Sequence, residues 1–166
     1  MSLTLHPAGG LTLTANGTYV DTRVDSNPVN PTGPFSNPAS FIGKSFPYTP
    51  RWQGVVDAQY RFPVSNTIYG FFGADVSSRS DTTGALLSGA ATVASQEVLL
   101  KIPGYTLLGL RAGIEPANGP WRLEFWGRNV TNRFYETGAT RNSDFVTRFA
   151  GMSLTYGISA HYSFGK

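Results

Sequence analysis

From Gly151 to Phe164 the chain alternates without a break. Met152, Leu154, Tyr156, Ile158, Ala160, Tyr162 and Phe164 fall on one side, and Gly151, Ser153, Thr155, Gly157, Ser159, His161 and Ser163 on the other. A period of two is the pattern of an extended strand with one apolar and one polar face. It recurs over Leu11 to Val24, Trp52 to Phe62, Ile68 to Val76, Thr106 to Ile114 and Trp121 to Arg128. Ordinary strands average about five or six residues, whereas a tilted strand crossing a bilayer needs about 9–11. Aromatic residues gather near the ends of the runs, at Trp52, Phe62, Trp121, Tyr156 and Phe164. Helical periodicity is nearly absent, and no stretch reaches the roughly 18 apolar residues of a membrane helix.

The connections alternate in length. Pro7 to Gly10, Pro63 to Asn66 and Pro116 to Gly119 read as tight turns. Between them lie long polar segments, roughly Asp25 to Pro50, Ser80 to Gly104 and Glu136 to Phe149. Short turns at one end and long loops at the other are the topology of an outer-membrane barrel. Charged residues are 14% of the chain, against about a quarter in soluble domains. A strand with one face on lipid and one on a polar interior explains that shortage. The fold expected is therefore all-β: an antiparallel transmembrane β-barrel segment of about six full strands plus one short strand, Ser2 to His6. It spans 1–166 with no separate second domain.

Other classes fall away. Cysteine is absent, which excludes a disulfide scaffold or a thiol enzyme. The net charge of +3 comes from ten scattered Arg and three isolated Lys, so no nucleic acid is expected as a partner. Met1 to Thr4 lead straight into alternating sequence without a basic and apolar leader, so the expectation is a cleaved leader or a longer parent protein. An open sheet of seven strands leaves two unpaired edges, untenable in hydrocarbon, so the chain reads as part of a larger barrel. Two rivals make different demands. A small stand-alone outer-membrane barrel needs Ser2–His6 hydrogen-bonded to the last strand, and a soluble carbohydrate-binding β-sandwich needs a second sheet over the apolar face.

Several stretches carry a family likeness: Leu3 to Tyr19, Gly43-Lys44 leading to Pro50-Arg51-Trp52, Leu123 to Tyr135, and Tyr156 to Phe164. Together they resemble the carboxy-terminal barrel region of TonB-dependent outer-membrane receptors. The most specific element is the Asn129-Val-Thr-Asn-Arg-Phe-Tyr135 run, similar to the family's Asn-Leu-x-Asp/Asn-Lys/Arg-x-Tyr pattern. The resemblance implies a 22-stranded barrel filled by a plug, located in the Gram-negative outer membrane. Such a receptor imports siderophores, cobalamin, carbohydrates or similar small-molecule cargo. Its implied partners are membrane lipid, the remainder of the barrel and plug, the TonB energy-transducing system through an amino-terminal part, and the barrel-assembly machinery. The plug, the TonB box and about two thirds of the barrel have no counterpart here, so the segment alone is not expected to transport. Phe164 stands where the family carries its terminal aromatic assembly signal, although Gly165 and Lys166 follow it.

Catalysis, cofactors and metal binding have little support. His161 lies between Ser159 and Ser163, but side chains two apart on a strand stand side by side rather than converging, which argues against a hydrolase. Neither His has a carboxylate at metal-binding spacing. The inward charges, Asp57, Arg61, Arg111, Arg122, Glu124 and Arg128, are the candidates for contact with plug or cargo, against a structural reading as charge pairs inside a barrel. A turn at Pro116 to Gly119 places Arg111 opposite Glu124 and brings Glu115 near Arg122. The outer-loop aromatics Phe35, Phe41, Phe46 and Tyr48 are candidates to stack on cargo or to pack the loop. Asn16-Gly17-Thr18 and Asn129-Val130-Thr131 match the glycosylation pattern by composition only, and both are expected within strands.

Overall fold

The computed structural model describes residues 1–27, 41–86, 98–142 and 144–164. One seven-stranded antiparallel sheet dominates it. In sheet order the strands are β1 (Ser2–Ala8), β2 (Leu11–Tyr19), β3 (Trp52–Pro63), β4 (Ile68–Arg79), β7 (Tyr105–Pro116), β8 (Trp121–Arg128) and β11 (Thr155–Tyr162). All seven follow the chain as an up-and-down meander, and β3, β4 and β7 each run 12 residues. Twelve residues at about 3.3 Å each, tilted by about 45°, are long enough to cross the roughly 25 Å apolar band of a membrane barrel.

The alternation read in the sequence becomes two chemically distinct faces. Tyr60, Phe72, Ala112, Phe125 and Ile158 share one side through successive register partners. That side is open, with Phe125 at 55% and Ile158 at 73% exposure. No second sheet covers it among the described residues, so the arrangement a soluble sandwich requires is not found. Aromatic residues mark both of its ends, in addition to Tyr60, Phe72 and Phe125 in the middle row. Tyr19 faces Trp52 at the long-loop end, and Tyr162 contacts Phe164 near the short-turn end with ring centroids 4.8 Å apart. Such paired girdles suit the two interfaces of a membrane.

The short turns follow the expected Gly and Pro signals. Gly10 adopts φ 81° at the β1–β2 turn, a left-handed conformation costly for residues with a Cβ. At the opposite end, two of the long segments expected to be loops carry strands of their own. β5 (Thr82–Thr83) pairs with β6 (Lys101–Ile102), and β9 (Glu136–Asn142) with β10 (Phe145–Ala150). Strand length hid these hairpins, because β5 and β6 have two residues each and β9 and β10 seven and six, too few for a period of two to stand out. Leu100, Ile102 and Ala139 are at most 1% exposed and join Ala85 and Val146 in a small core between the two hairpins. Tyr48 ties the first long loop to both, its backbone N–H donating to Thr83 O and its hydroxyl to Ala139 O.

Strands β1 and β11 are the two edges of the sheet and do not pair with each other. The ring that a small independent barrel demands is therefore not closed within this sheet. Asn129-Val130-Thr131, expected within a strand, lies in the turn after β8. Asn129 adopts φ 49° there and is only 5% exposed. Its side-chain amide donates to the carbonyls of Arg133 and Met152, and its side-chain oxygen accepts from Arg133 N–H. A buried side chain with three bonds to the main chain closes the loop, which the local Asn-Gly-Pro-Ser statistics of turns do not reveal.

Candidate functional site

The polar face carries a ladder of ion pairs on its middle strands. Arg111 of β7 lies across β4 to reach β3, where Nη1 and Nη2 donate to Asp57 at 2.6 and 2.9 Å and Nε and Nη2 donate to Gln59 at 3.2 Å. The crossing depends on Gly73, the register partner between Gln59 and Arg111. A Cβ at Gly73 would stand 2.7 Å from the guanidinium carbon. One row further toward the short turns, Arg61 donates from Nε to Glu115 at 2.6 Å. Arg122 then bridges Glu115 and Glu124 at 3.2 and 3.0 Å. Aromatic rings floor the ladder, with Arg61 over Tyr69 at 3.7 Å and Arg122 over Phe71 at 3.8 Å.

The sequence-derived candidates therefore sit as follows. Asp57, Arg61, Arg111, Arg122 and Glu124 share the polar face and enter this network. Arg128 ends β8 apart from it, its guanidinium 5.2 Å from the Trp126 ring. The expected Glu115–Arg122 approach is present. The expected facing of Arg111 and Glu124 is not: Arg111 is opposite Trp126, and Glu124 is opposite Gly113. Both stay on one face because the turn occupies Ala117–Pro120 rather than Pro116–Gly119, which shifts the pairing by two residues and preserves parity.

The ladder's ring floor and its spacing were not read from sequence. Gln59, Tyr69, Phe71 and Gly73 all belong to it, and only their position on the inward parity could have pointed to them. Each arginine of the ladder is paired with a carboxylate, so their charges are compensated within the network. It offers no nucleophile activated by a base. His161 meets Ser163 at 3.3 Å, against the side-by-side expectation, while Ser159 is bonded by Trp126 Nε1 at 2.9 Å. The serine and histidine thus lack a third, orienting carboxylate. No group of three metal-ligating side chains forms among the described residues.

At the loop end, Phe46 lines a cleft of about 390 Å³ with Lys44, Arg51, Asp81 and Lys101. Lys101 Nζ lies 2.8 Å from Asp81 and holds that carboxyl below its ordinary value. Tyr48 links loops instead of standing free, Phe41 bonds through its backbone to Asn27, and Phe35 lies outside the described residues. Phe164 follows β11 at 88% exposure.

A family model described as TonB dependent receptor-like, beta-barrel, matches residues 2–130. The chain belongs to the TonB-dependent receptor β-barrel family. Two solved structures share its fold. The ferric yersiniabactin uptake receptor FyuA from Yersinia pestis superposes with TM-score 0.70 at 16% identity, over 99% of this chain and 23% of that receptor. The siderophore receptor PiuA from Acinetobacter baumannii gives 0.67 at 15% identity, over 96% of this chain and 20% of its own length. The chain thus spans about a quarter or less of these receptors. No curated protein matches in sequence. Family membership makes the sheet a segment of a β-barrel wall.

Proposed function

We propose that this chain forms the carboxy-terminal wall of an outer-membrane uptake receptor that admits a ferric siderophore or similar chelate and is not an enzyme. The observation that carries the reading is the continuous seven-stranded sheet, with an uncovered apolar face backed by a ladder of compensated charges. That combination suits a wall between lipid and a filled lumen, and it suits neither a soluble core nor a catalytic cleft. In this reading Asp57, Arg61, Arg111, Arg122, Glu124 and Arg128 face the plug, the three long loops stand on the cell surface, and Phe164 is offered to the barrel-assembly machinery. The two siderophore receptors with the same fold support an iron chelate as cargo. The test is to express the receptor containing this chain in a Gram-negative host stripped of its own chelate receptors. Accumulation of radiolabelled iron that stops when TonB is deleted is expected. Iron accumulation unchanged by receptor or TonB would sink the proposal.

A further inference from the structure

The inward face changes character along the strands. In its lower half Arg61, Arg111 and Arg122 each hold a carboxylate. Nearer the long loops, the row Thr18, Gln53, Arg79 and Tyr105 runs across β2, β3, β4 and β7, with Asn16 and Ser77 in the row below. These residues line a cleft of about 390 Å³, within the range of small-molecule sites, roughly 300–1,000 Å³. Arg79 is its cation. The guanidinium lies 4.5 Å from the Tyr105 ring centre, and Nη2 donates to the Glu136 carbonyl at 3.5 Å, the limit of a hydrogen bond. Nε is buried without a partner. No described carboxylate pairs with it.

An arginine carries five donors and stays charged at any physiological pH. One long bond leaves that capacity almost unused, and leaving charged donors unpaired in a partly buried site is costly. Arg61, Arg111 and Arg122 show what the fold does when a charge is to be neutralised internally. Arg79 differs from them, and it sits where a cleft opens. A planar fork stacked on a tyrosine is pre-set for bidentate contact with a carboxylate or similar oxyanion.

We propose that Arg79 is a specificity-determining residue of an oxyanion subsite on the inner wall, which takes a carboxylate of the cargo while Gln53 and Thr18 supply neighbouring polar groups. The inference rests on the uptake reading, but its test does not depend on transport. Outer-membrane vesicles carrying the receptor that contains this chain are treated with phenylglyoxal, and modification of each arginine is followed by mass spectrometry with and without citrate as the carboxylate probe. Citrate is expected to slow modification of Arg79 by about fivefold or more, because a bidentate carboxylate covers the reactive edge of the guanidinium. Arg111 and Arg122, already paired, should react slowly in both conditions. Equal rates at Arg79 with and without citrate would overturn the subsite. An Arg79 unreactive in both would overturn it as a cargo site, since a group of the receptor itself then occupies the fork. A receptor that imports no iron chelate, yet shows citrate protection at Arg79, would lose the transport reading and keep the subsite.

Discussion

Arg111 reaches Asp57 only because Gly73 leaves the space above β4 empty, so an ion pair between β3 and β7 is controlled by a residue that has no side chain. Replacing Gly73 by Val should therefore disturb the same contact as Arg111→Ala. The pair is 20–30% exposed, so each change is expected to cost about 1.5–3 kcal/mol, the range for charged hydrogen bonds. Urea unfolding of the receptor in detergent measures it, and additive losses in the double variant would contradict the shared mechanism. Asn129 makes the second residue-scale prediction. Alanine there gives up three bonds to the main chain at a buried position and retains the unfavourable positive φ. A loss of about 2–3 kcal/mol is expected from unsatisfied buried groups, with Asn129→Gly recovering only the backbone share. The same melts read both variants, and equal stability of Asn129→Ala and wild type would contradict the closure role.

Strand identity rests on which face a residue occupies. Phe72 and Gly73 are neighbours in β4, yet one faces outward and the other lies beneath a guanidinium. An arginine at Phe72 should cost about 2–4 kcal/mol, the depth-dependent penalty on a lipid-facing barrel surface. The same substitution on outward Thr106, near the loop end of β7, should cost less than about 1 kcal/mol. Comparing the two variants in lipid vesicles checks the assignment, and equal penalties would mean that the face is not in lipid. The β5–β6 hairpin carries a pH dependence. Lys101 lowers the Asp81 carboxyl below 3.8 through their hydrogen bond, so the pair's contribution is fully present above that ordinary value and disappears as pH falls through the lowered one. Amide exchange in β6 should thus accelerate below about pH 4, and Asp81→Asn should abolish that acceleration while raising exchange at neutral pH.

At the scale of the whole molecule, the edges matter most. β1 and β11 each present one unpaired row of backbone groups, which hydrocarbon does not tolerate. The isolated chain in lipid is therefore expected to associate edge to edge, and cross-linking should show a ladder of oligomers in place of a single species. A lone monomer with slow amide exchange along β1 and β11 would contradict this. Within the intact receptor the same two strands should exchange as slowly as β4, because other strands pair with them. The loop end behaves as a second, smaller folding unit. Leu100, Ile102 and Ala139 form a buried core outside the sheet, and Arg148 joins it by pairing with Glu136 and donating to Leu99 O at 2.8 Å.

The main sheet was legible from sequence because one apolar face repeats along every long strand. Outward positions of the long strands are mostly apolar, so six runs and their three tight turns announce themselves through parity alone. The sheet order followed from short connections, and the charged candidates fell together on the polar face for the same reason. Parity fixes a face but not a neighbour, and there the sequence stopped. Whether Arg111 meets Glu124 or Asp57 depends on a two-residue shift at the Ala117–Pro120 turn and on the emptiness of Gly73, neither of which leaves a periodic trace. The loop hairpins were hidden because their strands are short and their core residues find one another across 37 positions between Ile102 and Ala139. Arg79 was passed over because it ends a strand whose clean alternation stops at Val76. Sequence by itself determined an all-β sheet with one apolar face, since that choice is made residue by residue. Tertiary structure decided which charges meet an opposite charge and which do not, because satisfaction is a property of partners brought from different strands.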